Sequence, residues 1–149
     1  MRCTTVVFVV LLTTTAARAE HGPFGLGVIV GQPTGLTMEY ELTDHLALDA
    51  AVGWDLFQDR HFYTHVEVLG FLTLASGSQV SLAGYLGVGA YFANYHPDPA
   101  FGVRVPLGLS VEFTAAPVEI FGEFAFHLRF VPGPIDPGVG AALGFRYYF

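Results

Sequence analysis

The chain has no lysine, a single cysteine at position 3, and no apolar run long enough to cross a bilayer as a helix. Each absence excludes something. Its six cationic side chains are all arginine, and thirteen carboxylates bring the formal net charge to −7. Nucleic-acid binding needs a basic footprint to meet the phosphates, so a nucleic-acid partner is not expected. One cysteine cannot form an internal disulfide, which rules out a small secreted fold stapled by bridges. The apolar run at 6–12 (VVFVVLL) falls far short of the roughly 20 residues a spanning helix requires.

What is present points to strands. Eighteen glycines, fourteen phenylalanines and seven tyrosines accompany abundant valine, the composition of a pleated, turn-rich chain. At the amino end, Arg2, the apolar run at 6–12 and Ala17-Arg18-Ala19 have the order of a secretory signal peptide with an A-x-A cleavage site. Cleavage after Ala19 is expected, leaving residues 20–149 as one domain. Cys3 lies inside the leader, away from the cleavage site, so it is no lipid-attachment cysteine. The mature chain would keep four arginines and no cysteine.

From residue 24 onward the sequence divides into eight alternating segments at 24–31, 35–42, 46–56, 62–74, 80–92, 102–113, 118–130 and 138–149, separated by turn signals. Successive strand side chains point to opposite faces. One face carries Leu, Val, Phe and Trp54, while the other collects the charges together with Gly and Ala. A water-soluble barrel with an apolar interior would show the reverse arrangement. The predicted fold is therefore all-β: an eight-stranded antiparallel up-and-down transmembrane β-barrel with a charged lumen and an apolar exterior. Connections at 43–45, 75–79 and 114–117 read as short turns. Those at 57–61, 93–101 and 131–137 read as longer exposed loops, and 32–34 is a short exception. Pro106 falls mid-strand, where it cannot donate a ladder hydrogen bond, and a bulge is expected beside it.

Pairing neighbours about each turn sets Glu39 beside Asp49 and Asp49 beside Glu67 as an acidic row. Asp55 and His65 share this inward face. Arg104, Glu123, His127, Arg129 and Arg146 lie on the far wall, with Glu123 and Arg146 as expected direct partners and Gly87 and Gly89 making room for Arg104. An eight-stranded barrel is only wide enough for side chains to fill it. Charges taken from water must be paired, so the two walls are expected to meet as a salt-bridged plug. A narrow, gated pore is the alternative. For metal, His61 and His65 are four apart, but His61 is read as the end of the loop at 57–61, where an odd loop residue separates the two in direction, and no ligand cluster with recognisable spacing is present. No cofactor is expected.

The last segment, GVGAALGFRYYF, resembles the terminal strand of bacterial outer-membrane β-barrels, which closes on a carboxy-terminal Phe. That resemblance implies the outer membrane of a Gram-negative (diderm) bacterium, with Phe145, Tyr147 and Phe149 as the signal read by the assembly machinery. Periplasmic chaperones during biogenesis, outer-membrane lipid around the finished barrel and a monomeric state follow from it. The stretch GLGVIVGQPTGLTMEYEL at 25–42, with LDAAVGW at 48–54, resembles a family of small uncharacterised outer-membrane barrels having a Gly-x-Pro-Thr-Gly-Leu turn and a later Gly-Trp. These stretches cover about a third of the mature chain. The family commonly has a basic residue before the Tyr, where this chain has Glu39. It has no agreed activity, so the resemblance implies fold and location only. Lipid A deacylases and acyltransferases of similar size use a His with a nearby Ser and carboxylate. His65 and His127, with Asp55 and Glu123, could supply part of such a set, but Ser110 is not brought to either histidine. Nucleophilic catalysis needs hydrogen-bond reach, so no enzyme activity is expected.

Overall fold

The computed structural model describes residues 21–56, 61–95 and 98–149. The expected leader and cleavage site, and most of the loop at 57–61, lie outside the described residues. Eight strands follow one another: β1 (Phe24–Gly31), β2 (Thr34–Thr43), β3 (Leu46–Asp55), β4 (His61–Ser76), β5 (Val80–Asn94), β6 (Pro99–Phe113), β7 (Val118–Val131) and β8 (Asp136–Tyr148). Each pairs antiparallel with the next, and β1 pairs antiparallel with β8, so the sheet closes into a barrel in simple chain order.

Alternation in the sequence decides which way each side chain points. In β1, Leu26, Val28 and Val30 project outward and are exposed, while Ile29 is buried inside. The same parity puts Leu36, Met38, Leu48, Val66, Leu86, Leu107, Phe124 and Leu143 on the outer surface. Glu39, Asp49, His65, Glu67, Arg104, Glu123 and Arg146 are buried within. A ladder of paired residues runs from Leu26 to Met38, Ala50, Val66, Ala90, Val103, Leu128 and Pro137. Carrying the β1–β8 register one step further lands opposite position 36, ten residues from Leu26. This stagger tilts the strands and leaves an interior that side chains can fill.

Three expectations are corrected. The long connections are shorter than the sequence suggests, because Phe92, Ala93 and Asn94 pair with Phe101, Ala100 and Pro99 and reduce the loop to 95–98. Pro99 opens its strand, where a missing N–H costs least. The contrast between short and long connections largely disappears with it.

The second correction concerns Pro106, beside which there is no bulge. The β5–β6 ladder stops at Leu86–Leu107 and resumes at Gly89–Arg104 in unchanged register, while Pro106 stays paired with Ala125 across β7. Gly87 explains the fit: a Cβ there would sit 3.0 Å from the proline ring, and glycine has none. The register irregularities fall elsewhere, at 41/43, 73/75 and 101/102. Thirdly, Arg129 does not join the interior. It pairs with Asp136 at the barrel rim, both partly exposed.

The β1–β2 turn is closed by Thr34, whose Oγ1 accepts from Gly31 N at 2.8 Å and donates to Gly31 O at 3.1 Å. Gly31 has φ of +135°, a conformation that only glycine adopts readily. This is the physical content of the Gly-x-Pro-Thr sequence at 31–34.

Candidate functional site: the charged lumen

Two arginines organise the interior. Arg146, on β8, is 3 % exposed and has three carboxylates around it. Its Nη1 donates to Glu39 at 3.0 Å and Glu119 at 3.2 Å, its Nη2 donates to Asp49, and Nε and Nη2 both reach Thr37 Oγ1. The guanidinium lies 4.0 Å from the centre of the Phe121 ring, so one planar cation is held by acids at its edge and a π face. Tyr148 completes this node. Its hydroxyl lies 2.8 Å from Glu39 and 2.7 Å from Glu119 and serves one of them at a time.

Arg104, on β6, is 1 % exposed and bridges two carboxylates. Nη1 donates to Glu67 at 2.5 Å and Nη2 donates to Glu123. Tyr85 donates to the other Glu123 oxygen at 3.0 Å. The expected Glu123–Arg146 pair is not formed. Glu123 stands opposite Ala142, and it is Glu119 that stands opposite Arg146. The interchange follows from the β7–β8 register, which sits four residues along β7 from the estimate made about the turn.

Between the two nodes lies His65, its Nε2 3.4 Å from Asp49 and 3.6 Å from Glu67. Beyond Arg104, toward the 95–98 loop, the lining turns aromatic. Tyr63 and Tyr91 stack with centroids 5.5 Å apart, and the Tyr63 hydroxyl lies 3.2 Å from His127 Nε2. Gln32 donates to Asp55 at this rim. At the opposite end, His21 stacks on Tyr148 at 4.3 Å.

The acidic row of Glu39, Asp49 and Glu67 is formed as the sequence implies, and it meets the arginines across the lumen. Sequence reasoning missed Glu119, Tyr85, Tyr148 and Thr37. All four stand at inward parity on their strands, which was the available signal. Ser110 Oγ is buried without a hydrogen-bond partner, so it is joined to neither His65 nor His127. That geometry does not assemble a nucleophile with its base.

Chemically, the arrangement holds charge. Five buried carboxylates share two buried guanidiniums, and each fork crosses the interior to bind acids on other strands. Comparison with family models, curated proteins and solved structures returns no match for the chain.

Proposed function

We propose that this chain is an outer-membrane β-barrel protein of a Gram-negative bacterium whose lumen is sealed by its own charge network. Its role is structural or one of surface interaction. The observation that carries the reading is inverted polarity. Leucine, valine and phenylalanine line the outer wall exposed, while Arg104 and Arg146 are buried inside with their acids. In water such a wall would be an aggregation surface, whereas in lipid it is the favourable one. Export through a signal peptide at 1–19, periplasmic chaperones and the assembly machinery belong to the same reading. Phe145, Tyr147 and Phe149 are exposed outward near the end of β8, where that machinery would meet them. The barrel would be a monomer, surrounded by outer-membrane lipid and without a cofactor.

The way the interior is filled supports a sealed lumen. The Arg104 fork ties β6 to β4 and β7, and the Arg146 fork ties β8 to β2, β3 and β7. Displacing either would leave several buried charges unpaired, at a cost of several kcal/mol. The connection between strands at 132–135 would form part of the surface-exposed rim.

Two measurements test this. Recovery in the outer-membrane fraction, with faster gel migration unboiled than boiled, is the expected result. Identical migration, or recovery as a soluble periplasmic protein, overturns the placement. In planar bilayers the purified protein should give a flat current trace. Stepwise conductance would replace the sealed plug by a narrow pore.

A further inference from the structure

The geometry points to a binding site for a divalent transition-metal cation inside the barrel, formed by Asp49, His65 and Glu67. It rests on the closed barrel and its buried interior, not on the membrane around it. The three side chains come from two paired strands. Asp49 stands directly opposite Glu67, and His65 is two residues along β4 on the same inward face. One donor atom from each lies within 4.8 Å of the others, and all three residues are buried.

His65 is what makes this more than an acidic cluster. It is 2 % exposed, and neither ring nitrogen makes a hydrogen bond. Its Nε2 is 3.4 Å from Asp49 Oδ1 and 3.6 Å from Glu67 Oε1. Ligand atoms around a tetrahedral zinc with bonds of 2.0–2.1 Å are about 3.3 Å apart. The two separations from His65 Nε2 are close to that spacing. With the ring proton on Nδ1, the Nε2 lone pair and the two carboxylates would all serve a cation held among them.

Charge bookkeeping favours the same conclusion. The five carboxylates around Arg104 and Arg146 exceed the two guanidiniums by three negative charges. A proton on His65 would offset one of these, and a divalent cation offsets two. The carboxylates are also oriented as ligands usually are, by hydrogen bonds from outside the site. Asp49 gives Oδ2 to Arg146 and turns Oδ1 toward His65, while Glu67 turns toward His65 the same Oε1 that accepts from Arg104 and keeps Oε2 buried without a hydrogen bond. Two oxygens and one imidazole suit zinc or manganese rather than a thiolate-seeking ion.

The test uses the full barrel, folded in detergent micelles, stripped with chelator and titrated with Zn²⁺ by calorimetry. Metal content after gel filtration and the thermal midpoint are read in parallel. One equivalent bound and a raised midpoint are expected for the wild type. His65→Gln and Glu67→Gln should each weaken binding tenfold or more and lose the midpoint shift, with circular dichroism confirming their fold. His127→Gln, altering the other lumen histidine, should bind as the wild type does. No saturable binding to the wild type overturns the proposal. So does unchanged binding in His65→Gln or in Glu67→Gln, which would assign the metal to other groups. Because the assay is made in micelles, its failure leaves the membrane placement standing.

Discussion

Arg104 reaches Glu67 over the top of a glycine. The two residues lie on β6 and β4, with β5 between them, and Gly89 is the β5 residue paired with both. The guanidinium spans that gap to bind at 2.5 Å. A Cβ built on Gly89 would stand 2.4 Å from Glu67 Cβ and 2.1 Å from Val66 O. The glycine is therefore the floor on which the ion pair rests.

Gly89→Ala should lower the unfolding free energy by about 2 kcal/mol or more, because neither backbone nor carboxylate stem can give way without disturbing the Arg104 fork. Gly70→Ala is the control. Its nearest neighbour would be 3.6 Å away, an ordinary contact, so a change within about 0.5 kcal/mol is expected. Urea unfolding of the two variants in parallel checks the difference. Equal stability would remove the close-approach account of this glycine.

Double-mutant cycles can decide which acid belongs to which arginine. Glu123 with Arg104, and Glu119 with Arg146, should each show coupling of about 1–3 kcal/mol. Glu123 with Arg146 should come close to additivity, since no ion pair joins them. Single replacement of either arginine by methionine should cost roughly 3–5 kcal/mol, most of it from carboxylates left buried without a countercharge. Strong coupling between Glu123 and Arg146 would return the register to the one estimated about the turn.

The aromatic end of β8 separates its two faces by one residue. Tyr148 is buried, with its hydroxyl against Glu39 and Glu119, whereas neighbouring Tyr147 is exposed on the outer wall. Tyr148→Phe should cost about 1–3 kcal/mol through the lost hydrogen bond to a charged acceptor. Tyr147→Phe should stay within about 0.5 kcal/mol. Thermal melts of the two variants would show the asymmetry, and equal effects would contradict the facing of the strand.

Much of this was legible in the sequence because a period of two has only two phases. Once Leu26, Val28 and Val30 are outward, the facing of every strand follows by alternation, and the order of eight hairpin-linked strands is forced by short connections. Pairings next to tight turns, such as Glu39 with Asp49, were also readable. Pairings far from a turn were not. Each depends on the turn's residue count, so a different count in the β7–β8 connection at 131–137 moved Arg146 from Glu123 to Glu119. Asp49, His65 and Glu67 were within reach of the same reasoning, since the pairing of Asp49 with Glu67 and the inward facing of His65 were both readable. They meet through the β3–β4 register rather than through any spacing along one segment, so a ligand motif does not announce them. Pro106 misled because the expected remedy was local to its own strand, whereas the accommodation lies across the ladder at Gly87.

The outer wall can be tested at Leu143, which is 68 % exposed and stands on β8 opposite Gly122. In lipid, an arginine there sits in hydrocarbon and should cost roughly 2–4 kcal/mol near the midplane. Tyr147→Arg, close to the end of the strand, should cost only about 0–1 kcal/mol, because the charge can reach the interface. The depth dependence is the informative quantity. On a wall facing water, both positions are exposed surface, and both substitutions should stay within about 0.5 kcal/mol. Unfolding measured in phospholipid vesicles distinguishes the cases: a graded penalty favours a lipid-facing wall. Leu143→Arg as stable as the wild type would mean that the apolar face of β8 meets something other than lipid.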